Sequence, residues 1–335
     1  MKMSLKKFLI VFVVFFIAQT LISTSKVNAS TNPVDMPILI KEKSIIEENE
    51  IDLTTEKIMK IDSKTGRKTV ASIDYAEITP ILEKMEKEEN YSTELVAKTT
   101  TENNNNKLSN INTFFLTPLR STTGYTICVA NTDSETQRPI CKVTSDGGEG
   151  TGFLIGEKYL LTAAHCVLTP DANVFGYWSA WAGYCNGNYA QKMGWNTVYY
   201  SENWTTYGAG SSFDWAIVEL DGNYGSSLGW LYCTKYYDFS DMINKEVSAW
   251  GYPATTMNGQ YLCYSTGIIT NANSWTFDSS CKVERGFSGG PTRMSDNTAC
   301  GINIAMYSND DRTGTLKSVR FNNSLFDLIL DLLNN

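Results

Sequence analysis

Three short stretches carry side chains suited to acyl transfer: LLTAAHCV at 160–167, SSFDWAIVEL at 211–220 and VERGFSGGP at 283–291. The first contains His165, the only histidine in 335 residues. Imidazole titrates near neutrality, so it can take a proton from a hydroxyl and later return it. In the second, Asp214 interrupts an apolar, strand-like run. A carboxylate there is costly unless it is paired, and an imidazole that accepts a serine proton needs such a group to hold its tautomer and stabilise its charge. In the third, Ser288 sits between glycines. Glycine admits positive φ and close backbone approach, so the N–H groups of Gly286 and Ser288 can converge on the oxyanion of a tetrahedral intermediate. Each stretch alone has a plainer reading, as a core histidine, a strand-initiating aspartate or a glycine-rich turn. Their joint occurrence in the order His, Asp, Ser favours nucleophilic catalysis.

The elements that must position these groups are short. TGFLIG, KYLLTAA, FGYWSAWAGY, DWAIVEL, EVSAWGYP, YLCYSTGIIT, CGINIAMY and LKSVRF are aromatic and β-branched, separated by glycine and asparagine, with no helical period between them. That pattern predicts an all-β sandwich or barrel pair rather than an α/β sheet. Only NNSLFDLILDLLNN at the carboxyl end reads as an amphipathic helix, capped by Asn323 or Ser324.

Residues 1–29 run from Lys2, Lys6 and Lys7 through a short apolar core to Ala29, the order of a secretory signal peptide and not of a spanning helix. All eight cysteines and all eight tryptophans lie beyond residue 120, and Gly66 is the only glycine before it. Residues 30–120 are rich in Lys, Glu, Thr and Asn. Behind an export signal they read as a removable pro-segment, with Arg120 as a processing point. From residue 121 onward, 12 Lys and Arg face 20 Asp and Glu, a balance that argues against nucleic acid and anionic membrane as partners. An exported domain with eight cysteines implies disulfides; of 105 connectivities the simplest is sequential, Cys128–Cys141, Cys166–Cys185, Cys233–Cys263 and Cys281–Cys300. Without a CxxC pair, zinc is the weaker alternative, and the expectation is no metal and no cofactor.

TGFLIGEKYLLTAAHC, FDWAIVEL, SAWGYP and GFSGGP together resemble the chymotrypsin-like serine peptidases, in particular the secreted bacterial branch that includes the glutamyl endopeptidases. The resemblance covers about residues 138–330, and the order His, Asp, Ser separates it from α/β-hydrolases and subtilisins. It implies two antiparallel six-stranded β-barrels, about 121–225 and about 226–320, with a C-terminal helix over about 323–333. It implies His165 as general base and acid, Asp214 as its orienting partner, Ser288 as nucleophile, and a pro-segment whose removal activates the enzyme. The resulting expectation is a secreted, monomeric serine endopeptidase whose partners are protein or peptide substrates and its own pro-segment, without stable membrane association.

Several positions depart from the family pattern. Phe287 stands where relatives carry Asp or Asn directly before the serine, so an ion pair with a freed amino terminus is excluded. Asn303 stands where glutamyl-specific relatives place a histidine on the strand after the serine. Lys282, six residues before Ser288, and the nearby Arg285 are cations that would favour an acidic side chain before the scissile bond, unless both are solvated loop charges. Met306 occupies a position that is small in many relatives and could narrow the substrate pocket. Gly150 stands where relatives supply a disulfide partner for Cys166. Phe287 and Met306 also motivate an alternative, a peptidase homologue with a degraded site that works as a binding or adhesion module.

Overall fold

Period-two burial is plain in Thr276–Val283, where TFDSSCKV alternates between core and half-exposed positions through its second half, as a strand with one face on a barrel interior must. The structure, a computed structural model, describes residues 38–39, 56–87, 119–120, 127–129, 132, 134–236, 238–308 and 314–334. All of them fall within one unit, residues 33–335, and the signal peptide expected over 1–29 lies outside them.

The first strands and helix come from the region expected to be a pro-segment: β1 (Ile38–Leu39), β2 (Ile58–Asp62), β3 (Lys68–Val70) and helix α1 (Tyr75–Lys87). Then follow β4 (Leu119–Arg120), β5 (Ile127–Val129), β6 (Ile140–Ser145), β7 (Gly148–Leu154), β8 (Tyr159–Thr162), β9 (Trp178–Ala182), β10 (Gln191–Met193), β11 (Trp195–Ser201) and β12 (Ala216–Leu220). The remainder comprises β13 (Glu246–Gly251), β14 (Leu262–Ala272), β15 (Thr276–Val283), β16 (Pro291–Met294), β17 (Ala299–Tyr307), β18 (Gly314–Arg320) and the C-terminal helix α2 (Asn323–Asn334).

Two sheets result. The first runs β10-β9-β6-β7-β8-β12-β11-β2-β3. The second runs β13-β16-β17-β18-β15-β14-β5-β4, and an antiparallel ladder between β13 and β14 closes its first six strands into a ring. The fold is therefore mostly β and barrel-like with few helices, as the sequence pattern predicts. The strand allocation differs from simple chain order at both ends. Ile127–Val129, expected in the first barrel, pairs on β14 of the second sheet, and Leu119–Arg120, from the end of the expected pro-segment, pairs in turn on β5. Arg120, the expected processing point, lies opposite Ile127 in that ladder.

The region before residue 120 is folded over residues 56–87. β2 pairs with β11 from Ile58–Ser201 to Asp62–Thr197, and Ile58, Ile61 and Ile78 join the main apolar core. Helix α1 packs on α2, so the polar positions of this amphipathic helix are covered as well. Residues 325–331 are buried on every side, Asp327 and Asp331 included, and Asp331 accepts the Asp74 N–H at 2.9 Å. The cap of α2 is Asn322, whose Oδ1 accepts the Leu325 N–H at 3.0 Å. No helix among the described residues is long and apolar enough to cross a membrane.

Candidate active site

His165 sits in the single helical turn Ala164–Cys166 that follows β8. Asp214 lies two residues before β12, which is paired to β8 along Ala216–Thr162 to Glu219–Tyr159. This pairing brings the two residues together. His165 Nδ1 is 2.7 Å from Asp214 Oδ2, the His165 main-chain N–H donates to Asp214 Oδ1 at 3.0 Å, and the Gly210 N–H donates to Oδ2 at 2.7 Å. A carboxylate with these partners satisfies the cost of burial. Burial alone would lower the His165 pKa, but the Asp214 carboxylate, helped by neighbouring Cys166, holds it well above its ordinary value. With Nδ1–H directed at Asp214, Nε2 is the free acceptor. It is buried and has no hydrogen-bond partner.

Ser288 lies between β15 and β16, on the second sheet, and its loop packs directly on the turn that carries His165. Cys166 Sγ donates to the Ser288 carbonyl at 3.5 Å, and a Cβ added to Gly289 would fall 2.9 Å from Ala163 N as well as on Thr162 Oγ1 and Thr151 O. Gly286 and Gly289 have φ of 95° and 80°, and a Cβ at Gly286 would meet the Tyr252 carbonyl. These two glycines are required by geometry and crowding together. The N–H groups of Gly286 and Ser288 take no part in the backbone bonds that shape the loop, which run Phe287 to Glu284, Gly289 to Asn303 and Gly290 to Phe287. Ser288 Oγ, like His165 Nε2, is buried without a partner.

Two residues hold this loop that sequence reasoning assigned otherwise or passed over. Thr151, fully buried in β7, donates its N–H to the Ser288 carbonyl at 2.8 Å and its hydroxyl to the Gly286 carbonyl at 2.7 Å. The same hydroxyl accepts the Tyr252 N–H at 3.0 Å. Thr151 therefore stitches the first sheet to both ends of the loop; the only signal in the sequence is a hydroxyl residue inside the apolar TGFLI. Replacing it with Val would leave the Tyr252 N–H and Gly286 carbonyl unsatisfied, and thermal unfolding should report a loss of about 1–3 kcal/mol. Asn303 was expected at the substrate pocket. Its Nδ2 instead donates to the Trp250 and Phe287 carbonyls at 3.0 and 3.2 Å, and its Oδ1 accepts from Thr292 Oγ1 at 2.8 Å. Its amide is thus engaged in fastening the loop.

Phe287 points into the apolar core of the second barrel. Gly251 must lack a side chain to admit it, since a Cβ there would lie 2.6 Å from Phe287 Cα. An apolar anchor thus stands where an ion pair is excluded. Met306 also belongs to that core and is fully buried. Lys282 and Arg285 are half-buried beside the loop; the Lys282 N–H donates to Ser265 Oγ at 2.9 Å, and the Arg285 carbonyl accepts from Ala254 N–H at 2.8 Å. Between them, Glu284 accepts from Thr255 and Thr256, and burial raises its carboxyl pKa.

The sequential disulfides do not form. Cys141, Cys166, Cys281 and Cys300 carry free thiols, and Cys233 remains a thiol that burial pushes upward in pKa. Strand pairing, not proximity in the chain, sets which cysteines can meet: Cys263 is disulfide-bonded and lies opposite Cys128 in the β5–β14 ladder. Gly150 does lie against Cys166, with a built Cβ 2.7 Å from Sγ, so the missing partner is a matter of residue type and not of geometry. Among the described residues no cluster of three or more His, Cys, Asp and Glu could hold a metal ion.

A His–Asp pair on one barrel-like sheet and a glycine-flanked serine on a second define a chymotrypsin-like fold. The chain belongs to the trypsin family, whose profile matches residues 127–323. It is 25% identical over 207 residues to the glutamyl endopeptidase of Bacillus licheniformis, covering 59% of this chain and 64% of that protein. It is 24% identical over 179 residues to a protein of Bacillus subtilis named extracellular metalloprotease, covering 53% of this chain and 56% of that one. The chain thus spans less than two thirds of the length of these curated relatives. Among solved structures, a Glu endopeptidase in complex with MPD superposes with a TM-score of 0.54 at 20% identity, covering 63% of this chain and 96% of that one. A thermostable serine protease, AL20, from an extremophilic microorganism gives 0.50 at 20% identity, with 60% and 99% covered.

Proposed function

We propose that this chain is a secreted serine endopeptidase, made as an inactive precursor, that hydrolyses peptide bonds through an acyl-enzyme. The observation that carries the reading is the buried His165–Asp214 pair, packed against the loop of a serine whose oxygen, like His165 Nε2, has no hydrogen-bond partner. In this reading Nε2 takes the Ser288 proton as Oγ bonds to the substrate carbonyl carbon. The oxyanion is received by the N–H groups of Gly286 and Ser288. The proton passes from Nε2 to the leaving amine as the C–N bond breaks, and water then releases the acyl group by the same path in reverse. Membership of a serine peptidase family supports the class. The burial of Phe287 and Met306 as core side chains weakens the case that they mark a degraded binding module.

A preference for acidic residues before the scissile bond is part of the proposal. It rests on Lys282 and Arg285 beside the loop and on the name of the glutamyl endopeptidase relative. Lys282→Ala should shift cleavage away from Glu and Asp sites in a peptide library, and an unchanged site profile would remove the charge-pairing account. The class itself is tested with a serine-directed phosphonate. Labelling of the processed protein that disappears in Ser288→Ala is expected, and no labelling of the processed wild type would overturn the peptidase reading.

A further inference from the structure

The edge of β17 next to the nucleophile loop is already occupied by the chain itself. β18 lines one edge of β17 from Gly301 to Tyr307. Along the other edge, β16 pairs from Ala299 to Ile302, then Asn303 exchanges main-chain hydrogen bonds with Gly289 and Gly290 of the loop, and then β1 pairs Ile38 with Met306 and Leu39 with Tyr307. An exposed strand edge is a template for an extended peptide. This one begins where the Ser288 loop ends, so it is the edge on which the acyl half of an extended substrate would lie.

Direction matters here. β17 runs away from the loop as residue number rises from 303 to 307. An acyl segment is joined to Ser288 through its carboxyl end, so it must run toward the serine, antiparallel to β17. β1 is parallel to β17 and runs away from the serine, so it fills the edge without presenting a peptide bond in the acyl position. In the same state Ser288 has 0% of its surface exposed.

We propose that residues 38–87 form a two-part internal inhibitor. β2, β3 and α1 dock on the first sheet and on α2, and β1 is thereby delivered along β17 to close the substrate edge. This rests on the peptidase reading above and adds how the precursor is silenced. The docking part is anchored by the β2–β11 ladder and by Ile78, which is 0% exposed; two residue pairs alone would make a weak strap. The loop itself needs no switch, because Phe287 is already seated in the barrel core and no free amino terminus can pair with it. Silencing is therefore by occlusion, and displacing β1 should suffice for activity without cutting the chain.

The test uses the full chain, with its integrity verified by intact mass. Ile38→Pro combined with Leu39→Pro removes both N–H donors from β1, and deletion of residues 33–45 is a second variant that leaves the docked part in place. Both are expected to hydrolyse a peptide substrate, while still uncut, at least tenfold faster than the uncut wild type and with an unchanged melting temperature. Uncut variants that stay as inactive as the uncut wild type, although the processed wild type takes the phosphonate label, would overturn the occlusion proposal. Absence of label on the processed wild type would instead strike the peptidase reading. If the double proline variant unfolds, the deletion decides by the same criterion.

Discussion

Asp214→Asn is expected to lower kcat/KM by about 10⁴-fold and to move the acid limb of the pH–rate profile to lower pH. The carboxylate fixes the Nδ1–H tautomer at 2.7 Å, and an amide in its place can present its NH2 to Nδ1 and leave Nε2 protonated and unable to accept from serine. The direction of the pH change follows from the two opposing influences on His165. Burial lowers its pKa and Asp214 raises it to a net value well above the ordinary one. Without the carboxylate, burial keeps its lowering effect and only the contribution of Cys166 opposes it. Because His165 is the only histidine, kcat/KM measured across pH reads this group without interference from another imidazole. An acid limb that stays in place in the variant would show that the activity does not depend on this pair. The same linkage acts on stability. The raised pKa means that the pair stabilises the fold fully below the unfolded imidazole pKa, and that the contribution fades as pH rises through the higher folded value. Wild type and variant should therefore differ more in melting temperature in mildly acid than in alkaline buffer.

Phe287→Ala should cost about 3–5 kcal/mol of stability and, beyond that, most of the activity of the molecules that remain folded. The ring is fully buried in the second barrel core, and its carbonyl accepts from Gly290 N and Asn303 Nδ2. Removing it opens a cavity directly beneath Ser288 and the two N–H groups that would receive the oxyanion. Leu316→Ala, equally buried in the same core but on β18, provides the comparison. It should lose a similar amount of stability by chemical denaturation, with phosphonate labelling per folded molecule retained. Equal losses of labelling in both variants would mean that Phe287 is ordinary core and that the loop does not depend on it.

The side chains proposed to react were legible because their chemistry is local in type. One histidine, one aspartate in an apolar run and one serine between glycines stand out whatever the fold, and the short alternating segments carried the all-β reading. The supports of those groups were not legible. Thr151 and Asn303 act through contacts between residues as far apart as 151 and 286 or 303 and 250, and nothing in the neighbouring sequence of either residue names its partner. Residues 30–120 read as a removable pro-segment, and nothing in their polar composition shows that Ile58, Ile61 and Ile78 are buried. A few well-spaced apolar side chains suffice when an existing sheet edge and a helix supply the remaining surface.

By itself, then, the order of residue types in this chain determined the class of fold and pointed to the chemistry proposed above, since both depend on which groups are present and on strand-length periodicity. Tertiary structure alone decided the rest. It settled that Asn303 and Met306 face inward, that cysteines neighbouring in sequence stay apart, and that Leu119–Arg120 and Ile127–Val129 join the second sheet. It also set the direction in which Ile38–Leu39 lies on β17. Each of these is a matter of which strand edges remain open once the barrels form, and an open edge is a property of the assembled sheet, not of any segment within it.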